Sequence, residues 1–115
     1  SVDGGMGDNI RPALYESEYA VVPVDRPLAE RNHTVTVAGK FCESGDVLAR
    51  DVDLPEPETG ELLALPASGA YCLMMASNYN MQTRPAVVLV NQGTSRLIRR
   101  RETYKDLLAS SIDFD

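Results

Sequence analysis

Apolar and polar positions alternate most cleanly at residues 33–39, His-Thr-Val-Thr-Val-Ala-Gly, where Val35 and Val37 share a face, so a half-buried strand is predicted. Residues 47–54 form a second strand candidate, closed by the Pro and Gly of residues 55–60. Residues 19–24 read as a strand whose Pro23 suits an edge or bulge. Two apolar runs, residues 61–65 and 86–90, read as short buried strands, the β-branched character of the second fitting an interior position. Residues 91–94 turn the chain into a further strand at 95–100, making a hairpin.

Helical signals are brief. Pro12 suits the first turn of a helix over residues 10–15, placing Arg11 and Tyr15 on one face. Residues 102–109 predict a closing helix with Tyr104, Leu107 and Leu108 on its apolar side. Residues 69–80 fit neither period, and their methionines, with Met81, suit either a core or a flexible contact surface. Several short strands between turns, with minor helices, point to a mainly β fold, an antiparallel β-barrel or sandwich. Residues 1–115 read as a single domain, and the opening on a strand and turn suggests a piece of something longer.

Composition narrows the function. A net charge of −6 argues against nucleic acid or an anionic membrane surface as partner, because phosphate binding needs clustered Lys and Arg. Arg99, Arg100 and Arg101 are the one basic run, better suited to carboxylate pairs or a solvated face. With no Trp and two Phe, the core must rest on Val, Leu, Ala and Met. Cys42 and Cys72 lack a CxxC spacing and His33 is the only histidine, so no metal site is expected. A disulfide between them is compatible with their number. No signal peptide or bilayer-length apolar run is visible, which makes the cytoplasm the expected location.

Candidate chemistry centres on Cys42-Glu43-Ser44-Gly45-Asp46, a thiol and acids at the turn between two predicted strands. The run admits two readings: a functional loop, or a cysteine used as a small hydrophobe with solvated turn acids beside it. A Ser/His or Cys/His hydrolase is rejected, since the lone His33 sits in a strand where a solvated imidazole is the ordinary outcome. The glycine-rich turn at residues 4–7 lacks a following Lys-Ser/Thr and suits tight geometry better than phosphate. What remains is Arg11 and Tyr15 for a carboxylate, Glu43 for a cation, Cys42 as proton carrier and Tyr71. Together they suit a zwitterionic amino acid.

Five blocks then carry a resemblance: Val2-Asp3-Gly4-Gly5-Met6, Arg11-Pro12-Ala13-Leu14-Tyr15, Cys42-Glu43-Ser44-Gly45-Asp46, Gly69-Ala70-Tyr71 and Met75-Ala76-Ser77-Asn78-Tyr79-Asn80. In this order they resemble the C-terminal β domain of diaminopimelate decarboxylases, a branch of the fold-type III, alanine racemase-like decarboxylases that use pyridoxal phosphate. The resemblance implies decarboxylation of meso-diaminopimelate to L-lysine. It also implies a (β/α)8 barrel outside this chain that carries the cofactor's lysine, since neither Lys40 nor Lys105 matches that position. Arg11 and Tyr15 resemble the pair that holds the substrate's distal carboxylate, and Glu43 the acid that reads its distal ammonium. Tyr71 resembles the residue beside the cofactor phosphate and the substrate. Cys42 resembles the proton donor, reaching across a homodimer interface into the neighbour's barrel, and a free thiol does keep its proton at neutral pH.

The resemblance further implies that the isolated piece is inactive, and that it has an open sheet edge where the family's β domain recruits chain from the enzyme's N-terminal end. Two alternatives stand beside it. One is a related decarboxylase acting on ornithine, arginine or carboxynorspermidine; the other is a β-barrel interaction module without chemistry.

Overall fold

A computed structural model describes residues 1–112. The chain is mainly β with short helices, as expected, and its contacts divide it into two compact units, residues 1–76 and 77–115. Among the described residues all strand pairing is antiparallel, in three small two-stranded sheets, none of which closes on itself.

The first unit contains α1 (Arg11–Tyr15), β1 (Val22–Pro23), β2 (His33–Ala38), β3 (Val47–Leu54), β4 (Leu63–Ala64) and α2 (Cys72–Met75). Strand β2 pairs with β3, and β1 with β4. The register of β2 on β3 slips twice, between Val35 and Val37 and again between Val37 and Ala38, each time leaving an extra residue on β3. Asp51, at φ 50°, occupies the first bulge. The second lets consecutive residues Leu48 and Ala49 both turn inward, which strict alternation forbids.

Val21, Val37, Leu48, Ala49 and Leu54 form the buried core, with Val2, Val35, Val52, Leu63 and Leu65 packed around it. Residues flanking or within both sheets meet there, so burial of this shared apolar surface holds the unit together. Valine, leucine and alanine build the core as composition predicts, but methionine does not: Met74 is 85% exposed. An Arg26–Glu61 ion pair, with Nε to Oε1 at 2.6 Å, ties the turn after β1 to the approach of β4.

The expected strands at 19–24 and 61–65 shrink to two paired residues each, and Leu62 is exposed rather than buried. Proline within the first removes a ladder donor, which limits its length.

The second unit holds a 3₁₀ turn (Tyr79–Met81), β5 (Val87–Asn91), β6 (Thr94–Arg99) and α3 (Tyr104–Leu107). The hairpin β5–β6 forms as predicted through Gly93, whose φ of 73° the tight turn requires. Strand β5 is not interior: Val88, Leu89 and Val90 are exposed in a sheet of two strands. Helix α3 is shorter than expected, and Tyr104 and Leu108 are exposed. It begins with a capping box in which the Thr103 and Asp106 side chains satisfy the first free amides.

No helix among the described residues is long and apolar enough to cross a membrane.

Candidate functional site

Three of the five candidate residues meet directly. The Arg11 guanidinium carbon lies 5.7 Å from the centre of the Tyr15 ring and 5.3 Å from that of Tyr71. Helix α1 explains the first contact, since positions four apart share a face. The second is long-range and is set by an unusual backbone: Tyr71 sits at φ 67°, ψ −34°, immediately before α2. Such a conformation costs a bulky residue roughly 1–3 kcal/mol and is found where surrounding structure fixes a side chain for a task. Tyr15 and Tyr71 are both exposed and Arg11 is half-buried, so the guanidinium and two phenols near it form a donor set suited to carboxylate or phosphate oxygens.

Cys42 and Glu43 lie on the loop joining β2 to β3. Cys42 is an exposed free thiol, whereas Cys72 is buried, with the Tyr19 hydroxyl 3.5 Å from its sulfur. The loop abuts α1, for a Cβ built on Gly45 would stand 3.6 Å from that of Ala13. The thiol, the acid and the Arg11 helix therefore belong to neighbouring segments. Ser44 Oγ donates to Glu43 Oε1 at 3.5 Å, a long bond.

Sequence reasoning missed Asp46. It reads as a turn acid but is only 3% exposed. Its Oδ1 accepts from the Met6 amide and its Oδ2 from the Phe41 amide, both at 2.6 Å. Gly5 and Gly39 make the room: a Cβ on Gly5 would lie 2.6 Å from Oδ1, and one on Gly39 would overlap the carboxylate outright. The sequence signal was an acid at a strand entrance with glycines nearby, but nothing local marks two distant glycines as walls of one socket.

Asn9 is the other buried polar residue among those described; its Oδ1 accepts from the Arg11 amide at 3.2 Å, while its Nδ2 has no partner.

An open groove of about 1070 Å³ runs beside β3, lined among others by Pro12, Glu16, Tyr19, Leu48 and Val52. None of the five candidates lines it. Volume alone does not make a site.

Within the second unit, Glu102 gathers the loop of residues 78–84. Its Oε2 accepts from Asn78 Nδ2 at 2.7 Å and the Arg84 amide at 2.9 Å, while Oε1 takes Arg84 Nε at 2.7 Å and Arg99 Nη2 at 3.2 Å. The Arg84 amide chiefly, with the Asn78 and Arg84 side chains, holds its carboxyl below the usual range. Arg100 forms a two-pronged pair with Asp106, so two of the three consecutive arginines make the carboxylate pairs expected of them.

Comparison with known proteins agrees with this picture. Residues 1–69 match the model of the family described as pyridoxal-dependent decarboxylase, C-terminal sheet domain. The chain is 58% identical over 108 residues to a diaminopimelate decarboxylase of Synechocystis, covering 94% of this chain and 23% of that protein. It is 50% identical to one of Bacillus subtilis, covering 99% of this chain and 26% of that protein. A solved diaminopimelate decarboxylase of M. jannaschii in complex with L-lysine superposes with a TM-score of 0.87 at 42% identity, covering 96% of this chain and 25% of that one. The chain thus spans about a quarter of the length of the relatives it matches. On the sheet-domain match and these identities, the chain belongs to the pyridoxal-dependent decarboxylase family, as its C-terminal sheet domain.

Proposed function

We propose that residues 1–115 constitute one C-terminal β domain of a diaminopimelate decarboxylase, which converts meso-2,6-diaminopimelate to L-lysine and carbon dioxide with pyridoxal phosphate. The observation that carries this reading is the Arg11 guanidinium in contact with both the Tyr15 and Tyr71 rings, on a helix packed beside the Cys42 loop. The names of the relatives and the lysine bound to one of them support the substrate class.

Pyridoxal phosphate, when bound, supplies the electron sink that decarboxylation at an amino-acid α-carbon needs. The chain's lysines do not suit its attachment: the Lys40 ammonium lies over the Phe41 ring at 5.9 Å, and Lys105 is on α3. As the family resemblance implies, the attachment lysine belongs to a (β/α)8 barrel outside this chain. The exposed Tyr71 phenol suits a phosphate oxygen of the cofactor and a substrate oxygen.

Arg11 and Tyr15 bind the substrate's distal carboxylate, the planar guanidinium fork matching its two oxygens. Glu43 accepts hydrogen bonds from the distal ammonium. Together they hold the substrate at both charges of its far end, so that the carbon losing carbon dioxide is oriented before reaction. The Cys42 thiol then donates its proton to that carbon, and the thiolate is reprotonated from solvent. As the family resemblance implies, the working form is a homodimer in which each Cys42 serves the other copy's barrel, a delivery that an exposed loop thiol suits. The enzyme acts in the cytoplasm.

The test is to assay the full-length protein, with and without pyridoxal phosphate, on meso-diaminopimelate, ornithine and arginine. Cofactor-dependent lysine formation, with kcat/KM on the other two lower by about a hundredfold or more, is expected. Faster turnover of ornithine or arginine contradicts the reading.

A further inference from the structure

We infer that Asp46 is a positioning residue, whose buried carboxylate couples the Cys42 loop to the helix that carries Arg11. The inference rests on the proposed roles of Cys42 and Arg11 and adds a residue that those roles do not include.

A continuous path of hydrogen bonds supports it. Phe41, the residue before Cys42, donates its amide to Asp46 Oδ2. Met6 donates its amide to Asp46 Oδ1. The Gly5 carbonyl, one residue earlier, accepts from the Asn9 amide at 3.1 Å, and Asn9 Oδ1 accepts from the Arg11 amide. The loop is closed from its other side as well, the Gly39 amide donating to the Asp46 carbonyl at 2.9 Å and the Asp46 amide to that of Glu43 at 3.0 Å. Asp46 and Asn9, the two buried polar residues among those described, are both links in this path.

The chemistry of the socket explains why an acid stands there. Two backbone N–H donors from segments distant in sequence converge on one side chain, and a carboxylate offers a separate oxygen to each. Asparagine presents a donor to one of them, leaving two N–H groups face to face in a buried place. Any residue with a Cβ in place of Gly5 or Gly39 would intrude on the same oxygens. The carboxylate thus fixes the loop that presents the proton donor, and displacement of such a group by about 1 Å can cost a hundredfold in rate.

The experiment compares wild type, Asp46→Asn, Cys42→Ala and Asp53→Asn in the full-length enzyme loaded with pyridoxal phosphate. Asp53 is an exposed acid at the far end of the same hairpin, bonded to Thr34 Oγ1, and serves as control. Rates on meso-diaminopimelate are taken per cofactor-loaded site, well below each melting midpoint, so that loss of folded protein does not count. Separately, alkylation of Cys42 by iodoacetamide is followed by mass spectrometry.

Asp46→Asn is expected to lower kcat by about tenfold or more and to speed alkylation by about threefold, with Asp53→Asn within about twofold of wild type in both. Both values within about twofold of wild type for Asp46→Asn overturn the inference. A slow Cys42→Ala beside an unaffected Asp46→Asn overturns it while leaving the role of Cys42 intact. An unaffected Cys42→Ala overturns that role instead, and the alkylation rate then decides alone whether Asp46 holds the loop. Should Asp46→Asn fail to fold, Gly5→Ala crowds the same carboxylate without removing its charge, and the same readings apply.

Discussion

The Arg11 guanidinium lies 5.3 Å from the centre of the Tyr71 ring, although a whole sheet core separates the two residues in sequence. The cation lies over the ring, and a guanidinium there also offers a carboxylate a planar two-pronged fork where an ammonium offers only a point charge. Arg11→Lys is therefore expected to raise KM for meso-diaminopimelate by about tenfold while kcat changes by less than about threefold. Steady-state kinetics of the full-length enzyme measures both. An unchanged KM would take Arg11 out of substrate binding.

Tyr71 holds that contact at a positive φ that glycine adopts freely. Because its side chain is exposed, Tyr71→Gly gives up little burial and relieves strain of about 1–3 kcal/mol. Its melting midpoint should equal or exceed that of wild type while kcat/KM falls. A clear drop in the midpoint would mean that the residue is kept for stability.

The socket around Asp46 makes a prediction about folding. Gly39→Ala drives a methyl group into a carboxylate that cannot move without losing the Phe41 and Met6 amides. Destabilisation of about 1–3 kcal/mol is expected from such overpacking. Chemical denaturation measures it, against Gly60→Ala as a control with open space around the added carbon but with its own positive-φ penalty.

Acid should weaken the second unit. Glu102 and Asp106 both titrate below their usual values, the first through the Arg84 amide above all, the second through Arg100 and then Thr103. A depressed carboxyl contributes stability above its unfolded pKa and loses it as pH falls through the folded one. With usual values of 4.5 and 3.8, the contribution is complete above about pH 5 and declines below that. Asp106→Asn and Glu102→Gln should each be less stable at neutral pH and show a shallower loss between about pH 5 and 3. Equal slopes in the two variants and wild type would contradict this.

How much of this was legible in the sequence depended on whether the signal was local. Strands β2 and β3, the hairpin β5–β6 and α1 announce themselves through alternation, a turn glycine and Pro12. The exposure of Val88 to Val90 did not, because a continuous apolar run looks the same whether or not another layer covers it. The double bulge of β3 was hidden too, since bulges follow from the partner's register. Arg11 and Tyr15 could be paired from helical spacing, but the arrival of Tyr71 at the same guanidinium depends on one left-handed residue in a stretch that matched no period. Asp46 was hardest, for its burial is decided by two glycines that only the fold brings together.

The proposed chemistry rests on the thiol of Cys42. Cys42→Ala in the full-length, cofactor-loaded enzyme removes one exposed sulfur and little else. Loss of a positioned proton donor should lower kcat on meso-diaminopimelate by about a hundredfold or more, with KM little changed. A variant that releases lysine at the wild-type rate would contradict it.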